Sequence, residues 1–287
     1  MPVISGLVQG FSTIATGTPA AFCRLCNGGR FSLEPNNVEE EGIDGQRLVR
    51  KGVMDCTVEA ECVSVDLTNL QKFFPTTAGI QMASFPDFLV KGGTETGDSL
   101  FIVSSAQPVG IRIANAGGPK ALTIARVTIK GIATIQTPGT YAPVYNSLKG
   151  HIARDCKVAV ASTVYNTVSW ELSCDLNATA EVYQDGTQAA AEWKPDGYAI
   201  PSIKYGFSAV TRLPWALAQY EVRDWTAADI TLSLKNGISA QDLIFTLDDW
   251  VPNGQEMPFA VNNIVGYSQA FIPGSGTIYN RVTIAAT

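Results

Sequence analysis

Over residues 229–248, apolar and polar side chains alternate in two runs around an Asn-Gly pair. Ile230, Leu232 and Leu234 interleave with Thr231 and Ser233, and Leu243, Phe245 and Leu247 resume the pattern after Asn236-Gly237. Period-2 alternation marks a strand with one buried face, and Asn-Gly accepts the positive φ of a short turn. The stretch therefore predicts a tight β-hairpin. The same grammar recurs over 110–129, where Ile111 and Ile113 precede an Asn115-Ala-Gly-Gly118 turn and Leu122, Ile124 and Val127 return. The chain reads as one β-rich unit used twice.

Taken in order, residues 1–20 are small and polar-leaning, an arm that orders against a neighbour. A strand at 21–25, a turn at Asn27-Gly28-Gly29 and a return at 30–33 make an opening hairpin. An excursion at 35–52, acidic at its start and basic at its end, reads as solvated. A strand at 54–65 leads into a short helix with Asp66 as N-cap, Pro75 at its end, and Leu67, Leu70, Phe73 and Phe74 as its apolar face. Residues 76–108 read as an insertion before the first copy of the hairpin. Thr137-Pro-Gly-Thr-Tyr-Ala-Pro143 is the linker, which sets domains at 1–143 and 144–287. The order then repeats: opening hairpin (156–160 with 168–172), excursion (175–201), strand (202–211), short helix (213–220), hairpin (229–248). Strands at 263–272 and 277–284 close the chain. The fold class is all-β (β-dominated α+β), with two tandem copies of a β-sandwich or barrel, each carrying a short flanking helix and a long loop.

Composition narrows the function. Of 287 residues 46% are hydrophobic and 16% charged, the balance of a folded chain, and the net charge of −6 argues against a protein that grips phosphates. The N-terminus lacks the basic start and apolar core of a signal peptide, and no run approaches the ~20 apolar residues of a membrane helix. A soluble chain made in a cytoplasm is expected, without a membrane. Cys23-Arg-Leu-Cys26 has C-x-x-C spacing but no second pair, so the six cysteines read as small apolar thiols in strands. With His151 as the only histidine, a nucleophile–base triad can be built only around it, and in its turn-rich loop it reads as a surface residue instead. Neither a phosphate-binding glycine loop nor a metal-binding motif is present. No enzyme and no cofactor are expected. The tryptophans admit a carbohydrate-stacking reading, although their places in strand patterns favour packing.

The Phe22–Leu33 segment, the Glu-rich excursion at 35–52, Gly52-Val-Met-Asp-Cys-Thr-Val-Glu-Ala60 and Asp66-Leu-Thr-Asn-Leu-Gln-Lys-Phe73 together resemble the tail tube proteins of long-tailed bacteriophages. Tyr165-Asn-Thr-Val-Ser-Trp-Glu-Leu-Ser-Cys-Asp-Leu-Asn-Ala178 adds to the likeness. The resemblance implies a virion protein whose β domains join between subunits into an inner barrel around a DNA channel, with rings stacked into a tube. A doubled chain implies trimeric rings of pseudo-sixfold symmetry, where single-domain members form hexamers. Implied partners are other copies, the terminator, distal tail and tape measure proteins, and DNA that passes without specific binding. On this reading Arg112, Thr123, Thr231 and Ser233 face the channel. Glu39, Glu40, Glu41, Asp185 and Asp196 lie on loops that reach the next ring, and Asp229, Asp248 and Asp249 supply negative charge at a rim. The alternatives are another virion part (tail tip, baseplate or capsid decoration) or a carbohydrate-binding β-sandwich.

Overall fold

A computed structural model describes the chain outside residues 1–3, 16, 36–37, 42–44, 46, 51–53, 76–86, 95–96, 116–119, 138–139, 182–196, 213–226, 239–240, 257–265, 278 and 287. The first half contains β1 (Ile4–Ala15), β2 (Thr18–Ala20), β3 (Cys23–Pro35), a ribbon of β4 (Val38–Glu41) and β5 (Arg47–Arg50), and β6 (Met54–Val65). Helix α1 (Leu67–Gln71), β7 (Asp87–Thr94), β8 (Gly97–Asn115) and β9 (Ile124–Gln136) complete it. The second half contains β10 (Cys156–Val160), β11 (Thr163–Tyr165), β12 (Thr167–Asp175), a ribbon of β13 (Thr179–Glu181) and β14 (Gly197–Ala199), and β15 (Lys204–Thr211). β16 (Ala228–Leu234), β17 (Leu243–Glu256), β18 (Tyr267–Pro273) and β19 (Val282–Ala286) follow. The protein is strongly β-dominated, and every ladder is antiparallel.

In the first half the ladders close on themselves in the order β1-β3-β6-β9-β8-β7-β1, a six-stranded barrel with no edge left at its seam. Phe11, Phe22 and Phe88 fill one end of it, with Phe11 and Phe88 stacked at 4.7 Å. Phe31 and Phe101 meet at 5.1 Å. Burying a Phe side chain contributes about 1.5–3 kcal/mol, so this aromatic cluster is a main source of the barrel's stability. In the second half β15 pairs with β12 and β18, β18 with β17, β17 with β16, and β16 with β10. Among the described residues β10 and β12 do not pair, so this half stays open there. The outer side of β12 is instead taken by β8, which runs one sheet through both halves.

Several expectations change. The first twenty residues are not an arm: β1 crosses the barrel, and Val8, Phe11 and Ile14 are buried. A bulge between Val8 and Gly10 shifts the alternation by one residue, which hides the strand from a period-2 reading. The opening hairpin is the single strand β3, bulged between Cys26 and Gly28. Gly29, at φ +147°, lies so close to the Glu59 carbonyl that a Cβ could not fit. The supposed insertion contributes β7 and most of β8, and Gly92 leaves the room that the Phe31 ring fills. The hairpin connection at 235–242 is longer than a two-residue turn, although Gly237 does take φ +80°. Just past the expected linker the chain packs onto the first half: Arg24 donates to the Leu148 carbonyl at 2.6 Å and Asn146 N–H to the Cys23 carbonyl at 3.1 Å. His151, expected at the surface, is buried, with its Nε2 3.0 Å from the Gln241 carbonyl.

Helix α1 forms as its sequence dictates. The Asp66 carboxylate accepts from Thr68 N–H at 3.1 Å, and Leu70, Phe73 and Phe74 are buried. The second expected helix, at 213–220, lies outside the described residues.

Candidate functional site: one continuous face and its two edges

The feature that spans the molecule is a run of eight strands, β3-β6-β9-β8-β12-β15-β18-β17. Four come from each half. Their alternation puts Phe31, Val58, Val127, Ile111, Leu172, Phe207 and Phe271 in the core and turns the intervening residues outward.

The outward face is polar; its arginines are paired with carboxylates, and Lys130 of β9 stands on the same face as Arg126 and Thr128. Arg30 meets Glu59 at 2.7 Å, Arg126 meets Glu61 at 2.8 Å, and Arg112 meets Glu171 across the β8–β12 junction at 3.2 Å. Each pair is exposed, so each adds little stability. Their effect is on the field: each of these guanidiniums has a carboxylate beside it, which offsets the positive potential that phosphates would meet there. Between the pairs stand Ser32, Thr57, Thr128, Ser173, Gly206 and Ser208, none of them buried.

The run has two ends. At the β17 end, β16 stops at Ala228 opposite Trp250. Among the described residues no strand pairs with 251–256 on that side. At the β3 end, the outer side of Arg30–Leu33 is covered by Ile4–Leu7 of β1.

The structure distributes the expected site residues unevenly. Arg112 lies on the outward face. Thr231 and Ser233 are half-buried on β16, which is not one of the eight strands. Thr123 does not reach the surface: it is 6% exposed, its N–H donates to the His151 carbonyl at 2.8 Å, and its hydroxyl lies 3.9 Å from Cys156 Sγ. The cause is the phase of the strand: Thr123 points inward with Ala125 and Val127, and Leu122 is the exposed neighbour. Glu39, Glu40 and Glu41 belong to the β4–β5 ribbon, opposite Val49, Leu48 and Arg47, so the first excursion is laddered rather than irregular. Asp185 and Asp196 lie outside the described residues. Asp229, Asp248 and Asp249 cluster at one end of β16–β17; Asp249 N–H donates to Asp229 Oδ1 at 3.1 Å, and Arg281 meets Asp249 at 3.2 Å. Burial, then the neighbouring Asp229, raise the Asp248 carboxyl. Sequence reading missed the partners Glu59, Glu61, Arg126 and Glu171. The Glu-x-Glu alternation inside 54–65 was the available signal.

The six cysteines are free, and Cys23, Cys56, Cys62 and Cys174 are buried. Burial pushes the Cys56 thiol up to about 12, whereas a hydrogen bond from Cys62 brings Cys26 down to about 7. Trp170 and Trp250 are buried and cannot serve as sugar-stacking platforms. Among the described residues no helix is long and apolar enough to cross a membrane. No protein-family model matches the chain, and no curated protein is significantly similar to it.

Proposed function

We propose that the chain is a structural subunit of a phage-type tail tube, built as two copies of one β unit and closing as a trimer around a DNA channel. The observation that carries this reading is the β8–β12 junction. It joins two equivalent four-strand groups edge to edge, and the run they form ends in the same two kinds of edge.

The equivalence is supported by pairing order. β6 with β9, β9 with β8 and β8 with β7 in the first half match β15 with β18, β18 with β17 and β17 with β16 in the second. Two bulges align with it. The β8–β9 ladder shifts between Pro108 and Gly110, and the β17–β18 ladder shifts between Pro252 and Gly254. Three residues before each proline the backbone turns left-handed, at Ser105 (φ 51°) and Asp249 (φ 58°). The hairpin at 229–248 is thus the counterpart of β7–β8 rather than of β8–β9, and Ile111 and Ile230 are not equivalent.

Because the run alternates direction and has an even number of strands, a β17 edge meets the next β3 antiparallel, just as β8 meets β12. Such a head-to-tail contact closes a ring when the rotation allows it. Three copies give a bore of roughly 40–50 Å between backbones at ~4.8 Å per strand and a tilt of ~40°. Six copies would double that, so the trimer suits one hydrated duplex. The paired charges of the outward face let DNA slide without being held. Negative-stain electron microscopy of the purified protein tests the reading: hollow tubes of trimeric rings are expected, and monomers at every concentration would overturn it.

A further inference from the structure

The β3 edge that the next copy would meet is occupied by the chain itself. In the second half Ile111, Arg112, Ile113 and Ala114 of β8 lie opposite Cys174, Ser173, Leu172 and Glu171 of β12. In the first half Ile4, Ser5, Gly6 and Leu7 of β1 lie opposite Leu33, Ser32, Phe31 and Arg30 of β3. The ladders fix how these correspond. Phe31 faces Val58, which faces Ile129, the partner of Pro108 at the first bulge. Leu172 faces Phe207, which faces Phe271, the partner of Pro252 at the second. Phe31 and Leu172 therefore hold the same place, and residues 4–7 sit where β8 sits in the other half.

We infer that residues 4–7 are a stand-in strand: they cover the β3 edge of the free subunit and give it up to β17 of a second copy. The incoming residues are Gly254, Gln255 and Glu256, set opposite Glu34, Leu33 and Ser32. They are the counterparts of Gly110, Ile111 and Arg112, whose edge is already paired with β12. Charge supports the match. The internal junction carries Arg112 against Glu171; the residues at the equivalent register positions are Glu256 and Arg30, again of opposite sign with their places exchanged. The second half shows the outcome of such an exchange, since β12 is held by β8 and, among the described residues, does not pair with β10. Departure of residues 4–7 leaves the Val8–Ile14 ladder with β7 intact and Phe11 in the core.

This inference rests on the proposed ring junction, and cross-linking tests it. In Ser32→Cys/Glu256→Cys the new thiols stand at opposite ends of the run, so a 32–256 disulfide, identified by peptide mass spectrometry, joins separate copies. Removing residues 1–6 is expected to speed its formation at least tenfold. Gly6→Pro, which weakens the β1–β3 ladder in the full chain, moves the rate the same way. An unchanged rate in both variants, or no 32–256 linkage in any, overturns the stand-in strand. Linked copies that form open chains, with no hollow rings by microscopy, uphold it and overturn the tube.

Discussion

Cys26 shows how far a single side chain can depart from what its neighbours in sequence imply. Cys23-x-x-Cys26 reads as half of a metal site, but the cross-strand partner of Cys26 is Cys62, brought opposite by the bulge in β3. The Cys62 hydrogen bond stabilises the Cys26 thiolate more than partial burial disfavours it, bringing its pKa down to about 7, while Cys156 stands at about 11 and Cys56 at about 12. Alkylation of the native protein should therefore label Cys26 first, at a rate rising as pH passes through 7. Peptide mapping checks it, and equal labelling of all six thiols would contradict it. Asp248 gives a pH effect of defined sign. Its carboxyl is raised, by burial first and then by Asp229, so its contribution is fully present below the ordinary carboxylate value and is lost as pH rises through the raised one. Asp248→Asn should stabilise the fold at pH 7 by about a few tenths of a kcal/mol, the small effect of so exposed a group, read by thermal unfolding. The gain should vanish near pH 3; a gain independent of pH would exclude this cause.

Among elements, those with an undisturbed alternation were legible: β6, β15, β16 and the start of β17 stand where their apolar residues put them. Helix α1 was legible for a different reason, since its cap and its terminating proline are local signals. β1, β3, β7 and the first part of β8 were not, because bulges and glycines interrupt their period. Those same glycines are what the barrel needs. Gly29 can take φ +147° against the Glu59 carbonyl, and a side chain there meets backbone that cannot move aside. Gly29→Ala should cost about 1–3 kcal/mol, the range of a strained backbone position. Chemical denaturation measures it, and a cost below half a kcal/mol would mean that β3 and β6 separate easily at this point. Of the candidate site, the outward face was half legible: Arg112 was placed by alternation alone. Thr123 failed because Ala125, Val127 and Ile129 set the inward phase of this stretch, which turns Leu122 out and Thr123 in, the reverse of what the apolar residues at 122 and 124 suggest. The paired carboxylates were missed because pairing across β3, β6, β9, β8 and β12 is fixed by topology.

For the molecule as a whole, the proposed tube would make the outward face the surface that DNA meets. Lysines at Thr128 and Ser208, both on that face and only half-buried, should leave the subunit's melting temperature nearly unchanged, within about half a kcal/mol. Tubes made from Thr128→Lys/Ser208→Lys should retain duplex DNA in a salt-dependent way that wild-type tubes do not. Equal DNA retention by both would show that this face does not line the path.

The unequal closure of the two halves also bears on how the chain is made. The first half seals its seam with its own strands, whereas β12 in the second half finds its partner in β8. When the ribosome has released residues 1–143, a finished barrel already presents the 110–115 edge, and the later half folds against it as onto a template. Expressed separately, residues 1–143 should show cooperative unfolding, while residues 144–287 should remain without a fixed tertiary structure until the first fragment is added. Cooperative melting of 144–287 alone would mean that order of synthesis leaves no mark on the fold.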